Sequence, residues 1–183
     1  MDPQALHPHV RDRARPLIVG DGPERPALER LAAGLGLAGL AVFTGRVPMA
    51  DVRHFHAVLD VFVIPRTGDR VCHLVTPIKP VEAMASGLCV VASEVKALRE
   101  IIEPGITGTL TVPEDQTTLA DCVEDLFYSP DRRREIGARA RAWAARDRTW
   151  AAVADRYLSA YASLGALRAG SAGRRKECGS TWS

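Results

Sequence analysis

The chain has 183 residues, which is long enough for one domain with a buried core. Apolar residues make up 46% of the sequence and charged residues 25%, as in ordinary globular proteins. The 24 basic and 22 acidic residues leave a formal net charge of +2, so no excess of positive charge indicates nucleic-acid binding.

Short apolar runs alternate with stretches of helical periodicity along the chain. In chain order, the predicted strands are 16–19, 40–43, 61–65, 88–92 and 108–112. The predicted helices are 28–35, 50–59, 95–102, 116–129, 131–145 and 149–164, and residues 66–75 are expected to be irregular. Continuously apolar strands indicate a parallel sheet that helices cover on both faces. The expected fold is therefore α/β, a Rossmann-like three-layer sandwich with a parallel sheet of about five strands.

The two ends of the sequence differ from its middle. The N-terminus is polar and interrupted by prolines, unlike a signal peptide, and no apolar stretch reaches the ~18 residues of a membrane span. The cysteines show no metal-like spacing, and Cys89 is expected to be a small buried apolar residue. The sequence predicts a cytoplasmic protein with a loose segment at 1–14, one domain at 15–165 and a disordered tail at 166–183.

Ligands of a doubly wound sheet bind beyond the carboxyl ends of its strands. The segments that should lie along this edge are 20–23, 44–46, 65–75 and 93–96. Gly20 and Gly22 form only a weak phosphate-loop signal, far short of the G-x-G-x-x-G pattern. The fold therefore predicts where a ligand binds but not which ligand it is.

Residues 76–93, TPIKPVEAMASGLCVVAS, place two charged side chains directly ahead of the most apolar run in the chain. If Pro80 takes the first helical position, Glu82 lies in the first turn, where backbone amides have no intrahelical partner. Those amides, the positive end of the helix dipole and the Lys79 ammonium would form an anion site that fits a diphosphate. The Glu82 carboxylate suits two neighbouring sugar hydroxyls, such as those of ribose.

Both charged residues also have a purely structural explanation. An acid in the first turn stabilises a helix by about 0.3–1 kcal/mol without any ligand. A lysine such as Lys79 is often no more than a solvated surface residue. The spacing alone therefore leaves a binding site and an ordinary helix start as alternatives.

The order of the motifs resembles the C-terminal, donor-binding domain of retaining glycosyltransferases of the GT-B fold, the family-four or "group 1" enzymes. The resemblance runs from about Arg15 to Tyr161. It is carried by the segments VGDGPER, VFTGRVP, DVFVIPR, TPIKPVEAMASGLCVVASEV and the late RTWAAVADRYLSAY. Each motif is weak by itself, and their order and spacing make the resemblance specific.

The resemblance implies a role for each candidate site residue. Glu82 corresponds to the second acid of the family's paired-glutamate motif, which holds the ribose of a nucleotide-sugar. The loop that faces the diphosphate and the sugar corresponds to Thr76, Pro77, Ile78 and Lys79. Loops that flank the nucleotide contain Gly20, Gly22 and Arg46. The nucleotide-sugar is the donor substrate, no cofactor or metal is implied, and no catalytic residue is identified.

The sequence departs from the family pattern in several places. Leu74 takes the position of the first acid, eight residues before Glu82, and Lys96-Ala97 replaces a pair of glycines. The family's entire acceptor domain has no counterpart, so the sequence predicts a truncated donor-binding domain that transfers no sugar by itself. The alternative is a non-catalytic fragment or a binding subunit that needs a separate acceptor-domain chain. The absence of G-x-G-x-x-G argues against a dinucleotide-dependent epimerase or dehydrogenase.

An apolar-aromatic stripe is expected on the last predicted helix. Its members recur every three or four residues, at Trp150, Val153, Tyr157 and Tyr161. The stripe either packs against the other helices of the domain or faces water. In the second case, residues 149–164 would contact another copy of the chain or a separate acceptor-domain chain.

Overall fold

The computed structural model describes Val10 and residues 13–163. The expected loose segment at 1–14 lies mostly outside the described residues. The expected disordered tail at 166–183 lies wholly outside them. The chain divides into two compact units, Met1–Ala145 and Arg146–Ser183. All the strands among the described residues belong to the first unit.

Five short strands form two parallel sheets in the described part of the first unit. β1 (Leu17–Val19) pairs with β2 (Val42–Gly45). In the second sheet, β4 (Cys89–Ser93) lies between β3 (Val61–Ile64) and β5 (Thr109–Thr111). The predicted α/β fold with about five parallel strands is confirmed, with the difference that the strands are divided between two sheets rather than joined in one.

Helices connect the strands and follow them. They are α1 (Arg25–Gly34), α2 (Val52–Ala57), α3 (Arg70–Leu74), α4 (Ile78–Ala85), α5 (Lys96–Arg99), α6 (Gln116–Tyr128), α7 (Pro130–Asp147) and α8 (Trp150–Ser163), with a 3-10 turn at Met49–Asp51. Two expectations are wrong. Residues 66–75 contain α3 and are not wholly irregular, and the helix expected at 95–102 ends at Arg99. Helices of four or five residues are too short to show a periodic apolar pattern.

β4 is the strand around which the core is built, and all five of its residues are buried. Val90 and Ala92 belong to one core cluster, with residues of α4, α5 and α7. Cys89 and Val91 belong to the other, with residues of α6 and α7. Cys89 is 1% exposed, and burial raises the pKa of its thiol to about 11. The expectation that Cys89 is a small buried apolar residue is therefore confirmed.

α7 approaches the turn between α4 and β4 closely at Gly137. A Cβ atom at Gly137 would lie 2.1 Å from the carbonyl oxygen of Gly87 and 3.0 Å from its carbonyl carbon. Both are backbone atoms, so they cannot rotate away as a side chain could. Gly87 itself has φ of 82°, a conformation that favours glycine. This contact lets α7 bury Ile136 and Ala140 in the core.

In the second unit, α8 has no buried residue. The Ala152 N–H donates to Oγ1 of Thr149 at 3.2 Å, just ahead of the helix. Trp150 is 90% exposed and Tyr157 is 62% exposed.

No helix in the described residues is both long enough and apolar enough to span a membrane.

We expect Gly137→Ala to lower the melting temperature of the chain by several degrees. Overpacking that shifts the backbone costs about 1–3 kcal/mol, and each kcal/mol lowers Tm by about 2–4 °C in a domain of this size. Gly34→Ala is the matched control, because Gly34 lies in α1 with nothing within 4 Å of a Cβ. Alanine there should leave Tm unchanged or raise it slightly.

Thermal unfolding followed by circular dichroism measures both variants. A Gly137→Ala protein that melts at the temperature of the parent chain would contradict the close contact between α7 and Gly87.

Candidate functional site

The charged stretch that follows α3 forms α4, which begins at Ile78 and not at Pro80. The expectation that Pro80 opens the helix is therefore wrong. Pro77 is the N-cap, with φ of −74° and ψ of 148°, and Pro80 takes the third helical position. Proline is tolerated there because the amide of that position has no intrahelical acceptor. Glu82 consequently lies beyond the first turn, further into the helix than expected.

The two prolines reduce the number of amides that the start of α4 offers to an anion. The backbone positions without intrahelical acceptors are 77–80. Pro77 and Pro80 have no N–H, so Ile78 and Lys79 supply the remaining donors. Lys79 is exposed, and its ammonium adds a full positive charge beside these two amides.

Lys79 and Glu82 are three residues apart in α4 and therefore lie on the same side of the helix. Glu82 is half-buried. Neither side chain forms an ion pair with another of the residues that the structure describes. An ammonium and a carboxylate without intramolecular partners remain available to a ligand.

A hydrogen-bonded contact with His56 holds the far end of α4. The Ser86 hydroxyl donates to the carbonyl oxygen of Glu82 at 2.9 Å. Nδ1 of His56, in α2, lies 2.9 Å from the same hydroxyl oxygen. His56 is 8% exposed and packs edge-on against the ring of Phe62 in β3. The helix that carries Glu82 is therefore fixed to both α2 and β3.

The helix directly ahead of α4, α3, contacts the start of α5, just after β4. His73 lies in α3, directly ahead of residues 76–79, and its Nδ1 accepts a hydrogen bond from the Lys96 N–H at 3.2 Å. α4 also packs against β3 and β4. A helix that joins two parallel strands begins at the carboxyl ends of those strands, so Thr76 to Glu82 lie where the sequence predicts a ligand edge.

The other predicted site residues lie at the carboxyl end of the first sheet. The Gly20 N–H donates to the carbonyl oxygen of Gly45 at 3.0 Å. The Gly22 N–H donates to Oδ1 of Asp21 at 2.9 Å. Arg46 follows the end of β2 and is exposed. Gly20, Gly22 and Arg46 thus form one group, and the α4 residues form another. Within the described residues no hydrogen bond joins the two groups, so a single shared site stays a prediction.

Arg25 in α1 is a charged member of the first group that sequence reasoning missed. Its Nε donates to Oε1 of Glu29 at 2.8 Å, and its Nη1 lies 3.9 Å from Oδ2 of Asp21. The hydrogen bond to Glu29 raises the pKa of the Arg25 guanidinium. Nη1 would be 2.9 Å from a Cβ on Gly45, whose φ is 72°. Acids four residues before and after Arg25 were the signal in the sequence.

A cleft of about 170 Å³ at the ends of β3, β4 and β5 was also missed. Its polar lining includes Arg66, Thr67, Ser93, Thr111, Glu114 and Gln116. Glu114 has φ of 62°, and its Oε2 accepts a hydrogen bond from the Gly68 N–H at 3.4 Å. The sequence predicted that the loops after β3 and β4 line the ligand edge, but it gave no signal for the loop after β5.

Ser93 holds the two loops of this cleft together. It is 4% exposed, and its hydroxyl oxygen accepts a hydrogen bond from the Arg66 N–H at 2.7 Å. This bond fixes the chain directly after β3 to the end of β4.

Across the described residues, no three His, Cys, Asp or Glu side chains are grouped as a metal site requires.

A family model described as Glycosyl transferases group 1 matches residues 3–129. The chain belongs to this family. The relatives and solved structures that it matches are glycosyltransferases, and its parallel sheets and covering helices correspond to part of a GT-B fold. The family and the fold inferred from the sequence are both confirmed.

Two similar glycosyltransferases come from Mycolicibacterium smegmatis. The GDP-mannose-dependent alpha-(1-6)-phosphatidylinositol monomannoside mannosyltransferase is 36% identical over 135 residues, which are 73% of this chain and 35% of the relative. The GDP-mannose-dependent alpha-mannosyltransferase is 34% identical over 156 residues, which are 85% of this chain and 38% of the relative. The chain therefore spans well under half the length of these relatives.

A solved structure shows the same relation. Anabaena Alr3699/HepE in complex with UDP-glucose matches with a TM-score of 0.67 and 25% sequence identity. The match covers 91% of this chain and 44% of the Anabaena chain. The group 1 chain described here thus corresponds to part of a larger glycosyltransferase fold.

The departures from the family pattern occupy defined places in the structure. Leu74, which stands where the resemblance places the first acid, is the last residue of α3 and is 67% exposed. Lys96 and Ala97, which replace the glycines, begin α5. The Lys96 N–H is already bonded to His73. Leu74 therefore supplies no carboxylate, and Lys96 and Ala97 lack the conformational freedom of glycine.

We expect Ser93→Ala to lower the free energy of unfolding by about 1–3 kcal/mol, because it leaves the Arg66 amide without its acceptor. Urea unfolding of the variant and the parent chain measures this loss. Ser159→Ala is the control, because Ser159 is exposed on α8, and its effect should stay within about 0.5 kcal/mol. Equal stabilities of Ser93→Ala and Ser159→Ala would mean that water replaces the Ser93 hydroxyl.

Proposed function

We propose that the chain is the donor-binding part of a retaining glycosyltransferase and that a nucleotide-sugar binds at the start of α4. The observation that carries this proposal is the pair of Lys79 and Glu82. They lie on one side of α4, without ion-pair partners among the described residues, in a chain of the group 1 family. A similar solved structure supports the proposal, because Anabaena Alr3699/HepE was crystallised in complex with UDP-glucose.

In this proposal, each group at the start of α4 has a separate task. The Glu82 carboxylate accepts hydrogen bonds from two ribose hydroxyls. The N–H groups of Ile78 and Lys79, with the Lys79 ammonium, bind the diphosphate at the positive end of the helix dipole. Thr76 and Pro77 contact the diphosphate and the sugar from the preceding turn.

The residues at the carboxyl end of the first sheet complete the proposed site. Gly20 and Gly22 flank the nucleotide, and Arg46 contributes a second positive charge. Stabilisation of the departing diphosphate is then the main chemical contribution of this part of the protein. The proposal involves no metal ion or cofactor, and a cytoplasmic location stays a prediction.

The donor base is left open by the relatives. The Mycolicibacterium smegmatis relative is described as GDP-mannose-dependent, whereas the Anabaena structure contains UDP-glucose. A carboxylate on ribose and cations on diphosphate recognise the part of the donor that these two compounds share. Both compounds are therefore the appropriate probes.

The second candidate is a nucleotide-sugar-binding subunit that is inactive until a separate acceptor-domain chain joins it. The observation that favours this candidate is the length of the match, which covers only 35% of the Mycolicibacterium smegmatis mannosyltransferase. An acceptor must be positioned against the donor, and positioning supplies a large share of the rate enhancement of such reactions. The exposed aromatic side chains of α8 are the proposed contact surface.

In an NMR titration with UDP-glucose and GDP-mannose, we expect the amide signals of residues 78–82 to shift. We expect millimolar affinity, because Pro77 and Pro80 offer no N–H to the diphosphate and each charge-assisted hydrogen bond contributes about 1.5–3 kcal/mol. Glu82→Ala should weaken binding by about tenfold or more. Glu103→Ala is the control, because Glu103 is exposed in the loop before β5. Equal affinity of the parent chain and Glu82→Ala would remove Glu82 from the site.

We expect the chain to self-associate through residues 149–164 when no other chain covers α8. Sedimentation velocity over a range of concentrations measures this association, and Trp150→Ser with Tyr157→Ser should reduce it. The matched control is Ala151→Ser with Ala162→Ser, which changes exposed residues of the same helix outside the stripe. A monomer at high concentration, unaffected by either pair of substitutions, would show that the stripe makes no contact between copies.

A further inference from the structure

A second concave region lies at the amino end of β5, away from the candidate donor site. It is a cavity of about 310 Å³ bordered by the end of α5, the loop at 103–108 and α7. α5 begins beside the carboxyl end of β4, and β5 runs parallel to β4, so the loop between them returns the chain to the amino end of the sheet. The residues proposed to bind the donor lie at the carboxyl ends of the strands. The cavity is therefore a separate region of the first unit.

The loop that forms one wall of this cavity is held by its own hydrogen bonds. The carbonyl oxygen of Glu103 accepts from the N–H groups of Ile106 at 3.1 Å and Thr107 at 3.0 Å. The Gly105 N–H donates to the carbonyl oxygen of Gly108 at 2.8 Å, and Gly105 has φ of 75°, a conformation that favours glycine. Because the wall is ordered before a ligand arrives, binding does not have to order it.

Apolar side chains form a second part of the lining. Ile101 and Ile102 are each 2% exposed and belong to the core cluster that contains Val90. Trp143 in α7 is half-buried and packs against the same cluster, and it also lines the cavity. Packing against the core holds the indole ring in place. A fixed aromatic ring offers a flat apolar surface with a negatively polarised face.

The polar part of the lining supplies both donors and acceptors. Thr107 is 5% exposed, its hydroxyl oxygen accepts the Glu103 N–H at 2.9 Å, and the hydroxyl proton has no acceptor among the described residues. Nη2 of Arg99 donates to Oε1 of Glu94 at 2.5 Å, and a guanidinium carries further N–H donors. Glu100, which is exposed, carries a carboxylate with several acceptor positions.

This combination of groups discriminates between classes of ligand. A wholly apolar ligand would cover the Thr107 hydroxyl without bonding to it. An anion would meet the Glu100 carboxylate, while the Arg99 cation is already paired with Glu94. An organic cation would meet the Arg99 guanidinium and would offer no acceptor to Thr107. A neutral sugar has an apolar C–H face that suits an aromatic ring and a rim of hydroxyl groups that both donate and accept.

We propose that this cavity binds a neutral sugar. One pyranose ring stacks on Trp143, and its hydroxyl groups bond to Arg99, Glu100 and Thr107. The cavity volume lies at the lower end of the roughly 300–1,000 Å³ of small-molecule pockets, so the site accepts one or two sugar rings. The sugar is bound and not changed. Such a site keeps a glycan close to a glycosyltransferase and raises its local concentration. The proposal does not depend on nucleotide-sugar binding at α4.

The first test is an NMR titration of the full chain with methyl α-D-mannopyranoside and methyl α-D-glucopyranoside. The amide signals of Ile101, Ile102 and Thr107 and the indole N–H signal of Trp143 should shift and saturate. We expect a dissociation constant of about 1–30 mM, because a ligand of this size makes few contacts. The amides of residues 78–82 should stay in place, because these probes contain neither ribose nor diphosphate.

Two variants of the lining locate the bound sugar. Arg99→Gln changes a side chain that is 62% exposed and should weaken binding about tenfold. Its matched control is Arg134→Gln, because Arg134 is also an exposed arginine in an ion pair. Trp143→Leu should abolish binding. Trp150→Leu is its control, because Trp150 is 90% exposed and is not among the residues that line the cavity.

Circular dichroism confirms that each variant is folded, and Arg99→Gln decides the question if Trp143→Leu is not. The absence of saturable shifts with both sugars would overturn the proposal, as would an equal loss of affinity in a variant and its control. Choline chloride is the third probe. Choline that shifts these signals where the sugars do not would assign the cavity to an organic cation and would also overturn the proposal. None of the probes contains a nucleotide, so the result is separate from that of the Glu82 titration.

Discussion

The burial of β4 on both faces determines most other positions in the first unit. Because its five residues are all buried, helices have to cover each face of the strand. Alternate residues of β4 point to opposite faces. One face packs in a cluster with α4 and α5, the other in a cluster with α6, and α7 contributes residues to both clusters. The carboxyl end of the strand is then the place where α4 begins and the loop from β5 returns. The candidate site therefore forms at that end.

The start of α4 combines rigidity with few hydrogen-bond donors. Prolines at positions 77 and 80 fix φ on either side of Ile78 and Lys79, which limits the conformations of the turn. The same prolines remove two amides that an anion would otherwise contact. Recognition therefore depends more on the Lys79 and Glu82 side chains than on the backbone. This differs from glycine-rich phosphate loops, in which successive amides surround the ligand.

The sequence predicted those parts of the structure whose signal is local and repeated. β3 and β4 are unbroken apolar runs. α6 has several turns of helical periodicity and is followed by Ser129 and Pro130. The predicted positions of these three elements are therefore close to the observed ones. α3 was missed because five residues hold too little periodicity. The start of α4 was misplaced because proline is tolerated at more than one position of a first turn.

The contacts of the site depend on residues far apart in sequence and were therefore harder to predict. The hydrogen bond from Lys96 to His73 spans 23 positions, and that from Arg66 to Ser93 spans 27. No pattern within either segment specifies its partner. The division of the strands into two sheets has the same origin, because apolar runs identify strands but not their neighbours.

The contact between Gly137 and Gly87 has a consequence for the rotation of α7 about its own axis. Only a glycine can face the Gly87 carbonyl at that distance, so the helix has a single rotational setting. Turning it by one residue, about 100°, would bring Ala138 or Ile136 against the same backbone. With the rotation fixed, Arg132 and Arg139 are held on the opposite side of the helix from Gly137, where both are exposed. A single missing methyl group thus decides which face of an arginine-rich helix the protein presents to its surroundings.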